Sequence, residues 1–202
     1  MEVSGMSLKD AREIYTRNKN TNLKLKVIPG HFVTNHSHIN YYVDMTEPRM
    51  IYRKARKVAE VLSRKYKNIL PVDTIFCMDN MEVVGAMLAE CLADAHLGMG
   101  SHSKKDVAIV TPEVDNTGRL ILRDNLRPLV KDRDCVVLVA SASTGYTVHK
   151  GLETVKFYGG VVRGVSAIFS KIHHQDGVEV DSVFTLEALP DYRSYAYHNC
   201  PY

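Results

Sequence analysis

Small and hydroxyl-bearing side chains are concentrated between residues 141 and 147, where the sequence reads Ser-Ala-Ser-Thr-Gly-Tyr-Thr. The preceding run 135–140 is apolar, and the periodic pattern that follows predicts a helix over 147–158. The first N–H groups of such a helix and the positive end of its dipole face the loop, where they suit a phosphate dianion. We therefore predict that a phosphate binds to the residues that offer backbone or hydroxyl donors: Ser143, Thr144, Gly145, Tyr146 and Thr147.

The same loop also fits a turn that binds nothing. Serine and threonine commonly cap helices, and strand-to-helix turns of this kind occur throughout α/β proteins. The loop by itself does not separate these two interpretations, so the elements around it have to be considered.

Apolar runs alternate with amphipathic helices along the chain. One helix is predicted to begin with Thr46 as its N-cap, because Glu47 and Pro48 suit a first turn. Another is predicted over 83–97. The predicted strands are the apolar runs 73–78, 107–110, 135–140, 161–169 and 180–185. Strands that are apolar throughout are buried on both faces, which predicts an α/β fold, a mostly parallel sheet flanked by helices. Ligands bind such sheets beyond the carboxyl ends of the strands, where the hydroxyl-rich loop lies.

Three segments are expected along the chain. The predicted boundaries are 1–45 for a small N-terminal hood of helix and strand, 46–190 for the core and 191–202 for a C-terminal tail. In the hood, Leu8, Ala11 and Ile14-Tyr15 have helical spacing, so a short amphipathic helix is expected there. No internal repeat or linker-like tract interrupts the chain, which favours a single unit.

The composition is that of an ordinary globular protein. The 202 residues are 45% hydrophobic and 24% charged, which excludes wholesale disorder. A net charge of +3 is too modest to indicate a nucleic-acid partner. No apolar run approaches the roughly 20 residues of a membrane span, and no charged and apolar leader opens the chain. We expect a cytoplasmic protein without membrane contact.

The four cysteines are scattered and form no Cys-x-x-Cys motif. Cys77, Cys91 and Cys135 lie in apolar patterns, so we interpret them as small buried hydrophobic residues. His198 and Cys200 are separated by one residue, but such a pair supplies only two of the four ligands that zinc requires. We therefore interpret the C-terminus as a loose tail and assign no metal ligand.

Other candidates for chemistry are weaker. His173 and His174 follow an apolar run, but adjacent side chains point in different directions, so an exposed loop pair is expected. The chain lacks a Walker loop, a Gly-x-Gly-x-x-Gly fingerprint and a Gly-x-Ser-x-Gly elbow. No catalytic residue is assigned.

The region around the hydroxyl-rich loop resembles the signature of the type I phosphoribosyltransferases. That signature is an apolar strand, two acidic residues, a small-residue loop ending Thr-Gly-x-Thr, a helix, and Gly-Gly before the next strand. Here the apolar run 136–140 is followed by Ser143-Thr144-Gly145-Tyr146-Thr147 and later by Gly159-Gly160. The resemblance implies the family's fold and a loop that binds a 5′-phosphate.

The N-terminal part is similar to the orotate phosphoribosyltransferase branch. It carries Gly30-His31-Phe32, then Tyr41-Tyr42 followed by Asp44. The resemblance implies phosphoribosyl pyrophosphate or a nucleotide as ligand, a place in pyrimidine nucleotide metabolism, a homodimer and, only if the protein is active, Mg²⁺. It also places His36 and His38 where the family has base-recognition and dimer contacts.

The family's ribose site is degenerate in this sequence. Its two acidic residues at the end of the strand hold the ribose hydroxyls, and Val139 and Ala140 stand at those positions, followed by Ser141. Valine and alanine side chains can neither accept those hydrogen bonds nor help to organise Mg²⁺.

Two further elements that handle pyrophosphate in the family also differ. Asp79 and Glu82 stand in the pyrophosphate loop, where they would repel the ligand. The segment that corresponds to a mobile basic loop contains Glu113 and Asp115 and no basic residue before Arg119. The sequence thus keeps the phosphate loop and loses the charges that serve pyrophosphate.

Three hypotheses follow. The first is an orotate phosphoribosyltransferase-like protein that binds a phosphoribosyl compound or nucleotide through its 5′-phosphate loop, with lost or altered catalysis and a sensor or regulatory role. The alternative is an active enzyme of the orotate class in pyrimidine nucleotide biosynthesis. The third, a structural or nucleic-acid-associated protein that uses its basic N-terminal segment, is disfavoured by the modest net charge.

Overall fold

The structure, a computed structural model, describes residues 11–16, 23–34, 37–66, 71–97 and 106–201, and the side chains of all of these except 94–97. In chain order the strands and helices are β1 Arg12–Tyr15, β2 Lys24–Val33, β3 His38–Asp44, α1 Thr46–Met50, α2 Tyr52–Ser63, β4 Thr74–Cys77, α3 Glu82–Leu97, β5 Ala108–Val110, β6 Glu113–Val114, β7 Leu120–Ile121, β8 Asp134–Ala142, α4 Tyr146–Phe157, β9 Val161–Ser170, β10 His174–Gln175, β11 Val178–Thr185 and β12 Ser194–Tyr195.

A six-stranded sheet forms the centre of the molecule. Its strand order is β10-β11-β9-β8-β4-β5, and all neighbours are parallel except β10 and β11. The middle strands β4, β8 and β9 are mostly apolar and buried, and every residue of β4 is buried. The predicted α/β fold, a mostly parallel sheet flanked by helices, is confirmed.

Helices cover both faces of this sheet, and β8 contributes to a core on each side. Val136 and Leu138 pack in the core built with α2 and α3, whereas Val137 and Val139 pack in the core built with α4. The buried hydrophobic residues of the two amphipathic helices are Ala55, Val58, Ala59 and Leu62 in α2 and Val148, Leu152 and Val155 in α4. This burial anchors β8 and α4, the two elements that flank the hydroxyl-rich loop. Among the described residues, no helix is long and apolar enough to cross a membrane.

A second, four-stranded antiparallel sheet with the order β1-β2-β3-β12 forms the hood. The helix predicted around Ile14 is wrong, because β1 is a strand in which Ile14 is buried and pairs with Leu25. Glu13 and Tyr15 on either side of Ile14 are exposed. The burial therefore has the period of two that a strand requires. Leu8, the first residue of the predicted helix, lies outside the described residues.

The helical segment after the hood differs in detail from its prediction. Met45, not Thr46, is the N-cap, and Thr46 is the first helical residue. The Thr46 amide donates to Asp44 Oδ1 at 2.9 Å, so the aspartate that ends β3 satisfies this helix start. Ile51 has extended backbone angles and separates α1 from α2. Because Ile51 interrupts the helix, the direction of the five-residue α1 is not fixed by that of α2.

The C-terminal segment is held against the hood, so the prediction of a loose tail is wrong. β12 pairs with β3 through Ser194 opposite Ile39 and Tyr195 opposite His38. A 3₁₀ turn follows at Tyr197–Asn199. The open edge of β3 presents N–H and C=O groups that need partners, and β12 supplies them.

Predictions for single cysteines and histidines are only partly confirmed. Cys77 and Cys135 are buried, as predicted, but Cys91 is partly exposed on α3. His173 and His174 are both exposed, as predicted, although His174 belongs to β10 and not to a loop.

Candidate functional site

A cleft of about 460 Å³ opens at the carboxyl end of β8, between the core and the hood. The loop after β8 lines one side, and hood residues that include Tyr42 and Val43 line another. Arg49 from α1 and Asp79 from the loop after β4 complete it. The hydroxyl-rich segment therefore lies where a parallel sheet is expected to bind its ligand.

The loop is shorter than predicted, because β8 continues through Ser141 and Ala142. These residues pair with Phe169 and Ser170 of β9. Since α4 already begins at Tyr146, the strand leads almost directly to the start of the helix.

Gly145 makes the turn into α4. It is the N-cap residue and has a φ of 83°, in the left-handed region that favours glycine. A Cβ at this position would lie 2.0 Å from Gln175 Oε1, so a larger residue would also have to displace the end of that side chain. Within the described residues, no side chain caps this end of α4. This helix end carries a positive partial charge, and an anion in the cleft can bind there without competing with a capping side chain.

The hydroxyl groups of the loop differ in what they contact. Ser143 Oγ lies 2.6 Å from Tyr192 OH, and burial raises the pKa of Tyr192. That phenol stays protonated at neutral pH and holds the loop in place. Thr144 Oγ1 is 3.5 Å from the Tyr146 amide, which is too long for a strong hydrogen bond. Thr144 is exposed and Thr147 half-buried, so both hydroxyls are accessible from the cleft. The five residues predicted to bind phosphate all line it: Ser143, Thr144, Gly145, Tyr146 and Thr147.

The three positions predicted to form a degenerate ribose site do not share one environment. Ala140 and Ser141 line the cleft. Val139 is fully buried in the core with α4 and is not among the described residues that line the cleft. Successive side chains of a strand point to opposite faces, which separates Val139 from Ala140. Of the three, the structure thus leaves Ala140 and Ser141, and not Val139, at the cleft.

A carboxylate from the neighbouring loop lies beside this strand end. Asp79 Oδ2 accepts a hydrogen bond from the Ala140 amide at 3.3 Å. Burial raises the pKa of Asp79, and this effect is opposed by the bond from Ala140 and the charge of Arg49. Sequence reasoning treated Asp79 as repulsive and missed this contact. The available signal was that Asp79 closely follows a buried strand, whose carboxyl end meets that of β8 at one edge of the sheet.

Arg49 supplies a positive charge to the cleft, and sequence reasoning missed it. Its Nη1 donates to the carbonyl oxygen of Asp79 at 2.8 Å. Its Nε is buried and has no hydrogen-bond partner among the described residues. A buried donor without a partner costs about 1–3 kcal/mol, which a ligand oxygen at this nitrogen would recover. No motif signals Arg49, because its position depends on how α1 docks after the turn at Asp44.

The other acidic residues that sequence reasoning singled out are engaged elsewhere. Glu82 Oε1 accepts a hydrogen bond from Thr111 Oγ1 at 3.1 Å. β6 and β7 form a hairpin whose turn is closed by Asp115, since its Oδ1 accepts from the Thr117 amide at 2.8 Å. Hydrogen bonds from the Thr117 hydroxyl and neighbouring amides hold the pKa of Asp115 well below its usual range. Lys150 on α4 donates to a carbonyl oxygen of this turn at 2.8 Å. No hairpin residue is among the described residues that line the cleft.

Comparisons with known proteins find similarity in structure and not in sequence. Neither a protein-family model nor a curated protein sequence matches the chain. The orotate phosphoribosyltransferase of Mycobacterium tuberculosis H37Rv, in complex with Fe(III) dicitrate, has a TM-score of 0.55 at 16% identity, over 82% of this chain and 92% of that one. A phosphoribosyltransferase from Corynebacterium diphtheriae has a TM-score of 0.53 at 19% identity, over 75% of this chain and 86% of that one.

A purine enzyme is also among the similar structures. The adenine phosphoribosyltransferase of Trypanosoma brucei, in complex with AMP, pyrophosphate and ribose-5-phosphate, has a TM-score of 0.59 at 15% identity, over 92% of this chain and 83% of that one. At these identities the likeness shows the fold, which is that of the type I phosphoribosyltransferases. The fold expected from the sequence motifs is confirmed, and it is shared by enzymes of pyrimidine and of purine substrates.

Proposed function

We propose that the protein binds a phosphoribosyl compound, such as phosphoribosyl pyrophosphate or a nucleotide, and does not turn it over. The observation that carries this proposal is the start of α4, where Gly145 directs a helix N-terminus without a side-chain cap toward the cleft. A phosphate bound there meets backbone donors, the positive end of a 12-residue helix and the hydroxyls of Thr144 and Thr147. In this role the protein acts as a sensor or regulatory module.

The remainder of the cleft suits a sugar and a second anionic group. Ser141 and Asp79 offer oxygen atoms that can accept hydrogen bonds from ribose hydroxyls beside the strand end. The guanidinium of Arg49 offers a charged donor for a pyrophosphate or a carboxylate. The fold supports the assignment of this ligand class, because the similar Trypanosoma brucei enzyme holds AMP, pyrophosphate and ribose-5-phosphate.

Loss of catalysis rests on the charges that are missing around the same cleft. Transfer of a phosphoribosyl group requires preorganised groups for a cationic sugar, for the departing pyrophosphate and for a metal ion. Ala140 offers no carboxylate at the cleft-facing end of β8, and the β6–β7 hairpin holds its acidic residues away from the cleft. Removal of one such donor costs about 10²–10³ in rate, so the combined loss silences the reaction.

An active enzyme of the orotate class is the second candidate, and one observation favours it. Asp79 brings a carboxylate beside Ala140 from the adjacent loop, where it could take over part of the role of the missing acidic pair. The two candidates share the phosphate loop and differ only in turnover.

Binding is tested by the thermal stability of the purified protein with phosphoribosyl pyrophosphate, orotidine monophosphate, AMP and ribose-5-phosphate. A ligand at about 100 times its Kd stabilises the native state by about 2.7 kcal/mol, a rise of roughly 5–10 °C in Tm for a chain of this size. Gly145→Val should abolish this rise, because a side chain there is strained at positive φ and meets Gln175.

Gly118→Val is the matched control. Gly118 also has a positive φ, of 78°, but it lies in the hairpin turn with no atom within 4 Å of an added Cβ. We expect both variants to lower the basal Tm, Gly145→Val by more because its side chain also meets Gln175, and the ligand response to stay intact in Gly118→Val alone. An unchanged response in Gly145→Val would place the phosphate site elsewhere.

A further inference from the structure

Two histidines of the hood and the cysteine of the C-terminal segment converge on one point outside the cleft. His31 lies on β2 and His38 on β3, and the pairing of Val33 with His38 makes the two histidines diagonal neighbours across the strands. His31 Nε2 is 3.0 Å from His38 Nδ1 and 3.3 Å from Cys200 Sγ. One ligand atom from each of the three side chains lies within 4.8 Å of the others.

The chain holds the cysteine in this place through several contacts. β12 pairs with β3 just before it. The ring of Tyr197 packs edge-on against His38 with 5.0 Å between the ring centroids, and its hydroxyl donates to the carbonyl oxygen of Thr34. Residues that are 169 positions apart, His31 and Cys200, are thus brought together by backbone pairing and an aromatic contact.

The spacing and chemistry of the three ligand atoms fit a transition-metal ion such as zinc. Zinc bonded at about 2.0–2.1 Å to nitrogen and about 2.3 Å to sulfur holds its tetrahedral ligand atoms about 3.3–3.6 Å apart. Mg²⁺ and Ca²⁺ prefer oxygen ligands, and this cluster supplies two imidazoles and a thiol. In addition, His31 Nε2 faces both His38 Nδ1 and Cys200 Sγ. One ring nitrogen has a single proton or lone pair to offer, whereas an ion at the centre bonds to all three atoms.

We propose that His31, His38 and Cys200 form a zinc site that fastens the C-terminal segment to the hood. Zinc bonds to a nitrogen of each imidazole and to the sulfur of Cys200, whose thiol proton is released to solvent. Water occupies the fourth position of the tetrahedron. The site is separate from the proposed phosphate site, because none of its three residues is among those that line the cleft.

The test uses the full chain without an affinity tag, titrated with Zn²⁺ in competition with a chromophoric chelator. We expect one equivalent of zinc to bind, and Cys200→Ser and His31→Gln each to weaken its affinity about 100-fold or more, since even supporting residues around a metal contribute about 10–100-fold. The matched controls are Cys91→Ser, at the other partly exposed cysteine, and His174→Gln, at an exposed histidine far along the chain. Both controls should bind zinc as the unmodified protein does.

Co²⁺ provides a second readout that does not depend on the affinity. The cobalt-loaded protein should show a thiolate-to-cobalt charge-transfer band that is present in Cys91→Ser and absent in Cys200→Ser. The proposal is overturned if the unmodified protein competes with the chelator no better than Cys200→Ser does. It is equally overturned if the thiolate band persists in Cys200→Ser. His31→Gln keeps the test decisive if Cys200→Ser does not fold.

Discussion

Asp79 is subject to two opposing demands. Burial raises the pKa of its carboxyl group, so ionisation at neutral pH destabilises the folded protein. The same carboxylate accepts a hydrogen bond from Ala140 and lines the cleft in which we propose that a ribose binds. A residue that lowers stability but serves a ligand is typical of a functional site. Its backbone supports this interpretation, since Asp79 and Asn80 both have a positive φ, of 55°.

Asp79→Asn should therefore raise stability and weaken binding. When the pKa of a carboxyl group is higher in the folded than in the unfolded protein, the folded protein is less stable with the group ionised. Stability is therefore lost as the pH rises from the pKa of the unfolded state through that of the folded state. Asparagine tolerates the left-handed backbone and removes this loss. The Tm of Asp79→Asn relative to the unmodified protein should increase between pH 4 and pH 7.

The same variant should bind phosphoribosyl pyrophosphate about 10–100-fold more weakly, since a hydrogen bond to a charged group contributes about 1.5–3 kcal/mol. Calorimetric titration measures the affinity, and thermal unfolding at the two pH values measures the stability. Equal affinity in both proteins would remove Asp79 from the ligand site.

Single residues differ in how far a sequence reveals them. The Thr-Gly-x-Thr pattern at 144–147 depends on local backbone geometry, so it was predicted together with its place at the end of a strand. The locations of Arg49 and of the His31–Cys200 contact depend on how distant segments dock, which local patterns do not encode. The burial of Val139 followed from the strand period, but only once the end of β8 was known to lie at Ala142.

The β6–β7 hairpin is an element whose position decides its function. The sequence resemblance aligns it with a mobile basic loop of the type I phosphoribosyltransferases, but its turn is closed by Asp115 and fixed to α4 by Lys150. An element that is tied down outside the cleft cannot also close over a ligand. We therefore interpret the hairpin as structural.

Shortening the hairpin tests this interpretation. Glu113 pairs with Ile121, so an Asn-Gly turn can replace residues 114–120 without moving the strand ends apart. The affinity for phosphoribosyl pyrophosphate should change less than twofold, while Tm falls because the contact with Lys150 and the packing of Leu120 against the core are lost. Calorimetric titration and thermal unfolding give both values. A tenfold loss of affinity would show that the hairpin reaches the ligand after all.

The errors in element prediction have a common physical cause. The spacing of Ile14 with Leu8 and Ala11 predicts a helix, but the segment around Ile14 pairs with the open edge of β2 and forms a strand. The same applies to Ser194 and Tyr195, which join β3. Edge pairing is a tertiary interaction, and it overrides weak local periodicity in short segments. The buried strands β4, β8 and β9 were predicted well because burial on both faces leaves an unambiguous apolar run.

At the scale of the whole molecule, we predict a homodimer. Three consecutive apolar residues, Met50, Ile51 and Tyr52, are 57%, 45% and 55% exposed at the junction of α1 and α2, and Val33 of the hood is 43% exposed. Contiguous apolar surface of this kind is typical of a contact between proteins, and two-fold dimers are the commonest assembly.

Light scattering should give twice the chain mass of 22.7 kDa. Ile51→Lys should shift the mass toward that of one chain, with Val114→Lys as a control at an exposed residue of the hairpin. A monomer mass for the unmodified protein across a range of concentrations would contradict the prediction.

Catalysis is also a property of the whole site, and we predict that it is absent. The protein mixed with orotate, phosphoribosyl pyrophosphate and Mg²⁺ should form no nucleotide above background, because groups that act as a unit are missing together. Ala140→Asp places a carboxylate at the cleft-facing position and should leave turnover negligible. Val139→Asp, at the other position of the acidic pair, buries a charge in the core with α4 and should unfold the protein. A turnover by the unmodified protein in the range of metabolic enzymes, about 1–10³ per second, would instead establish the active enzyme.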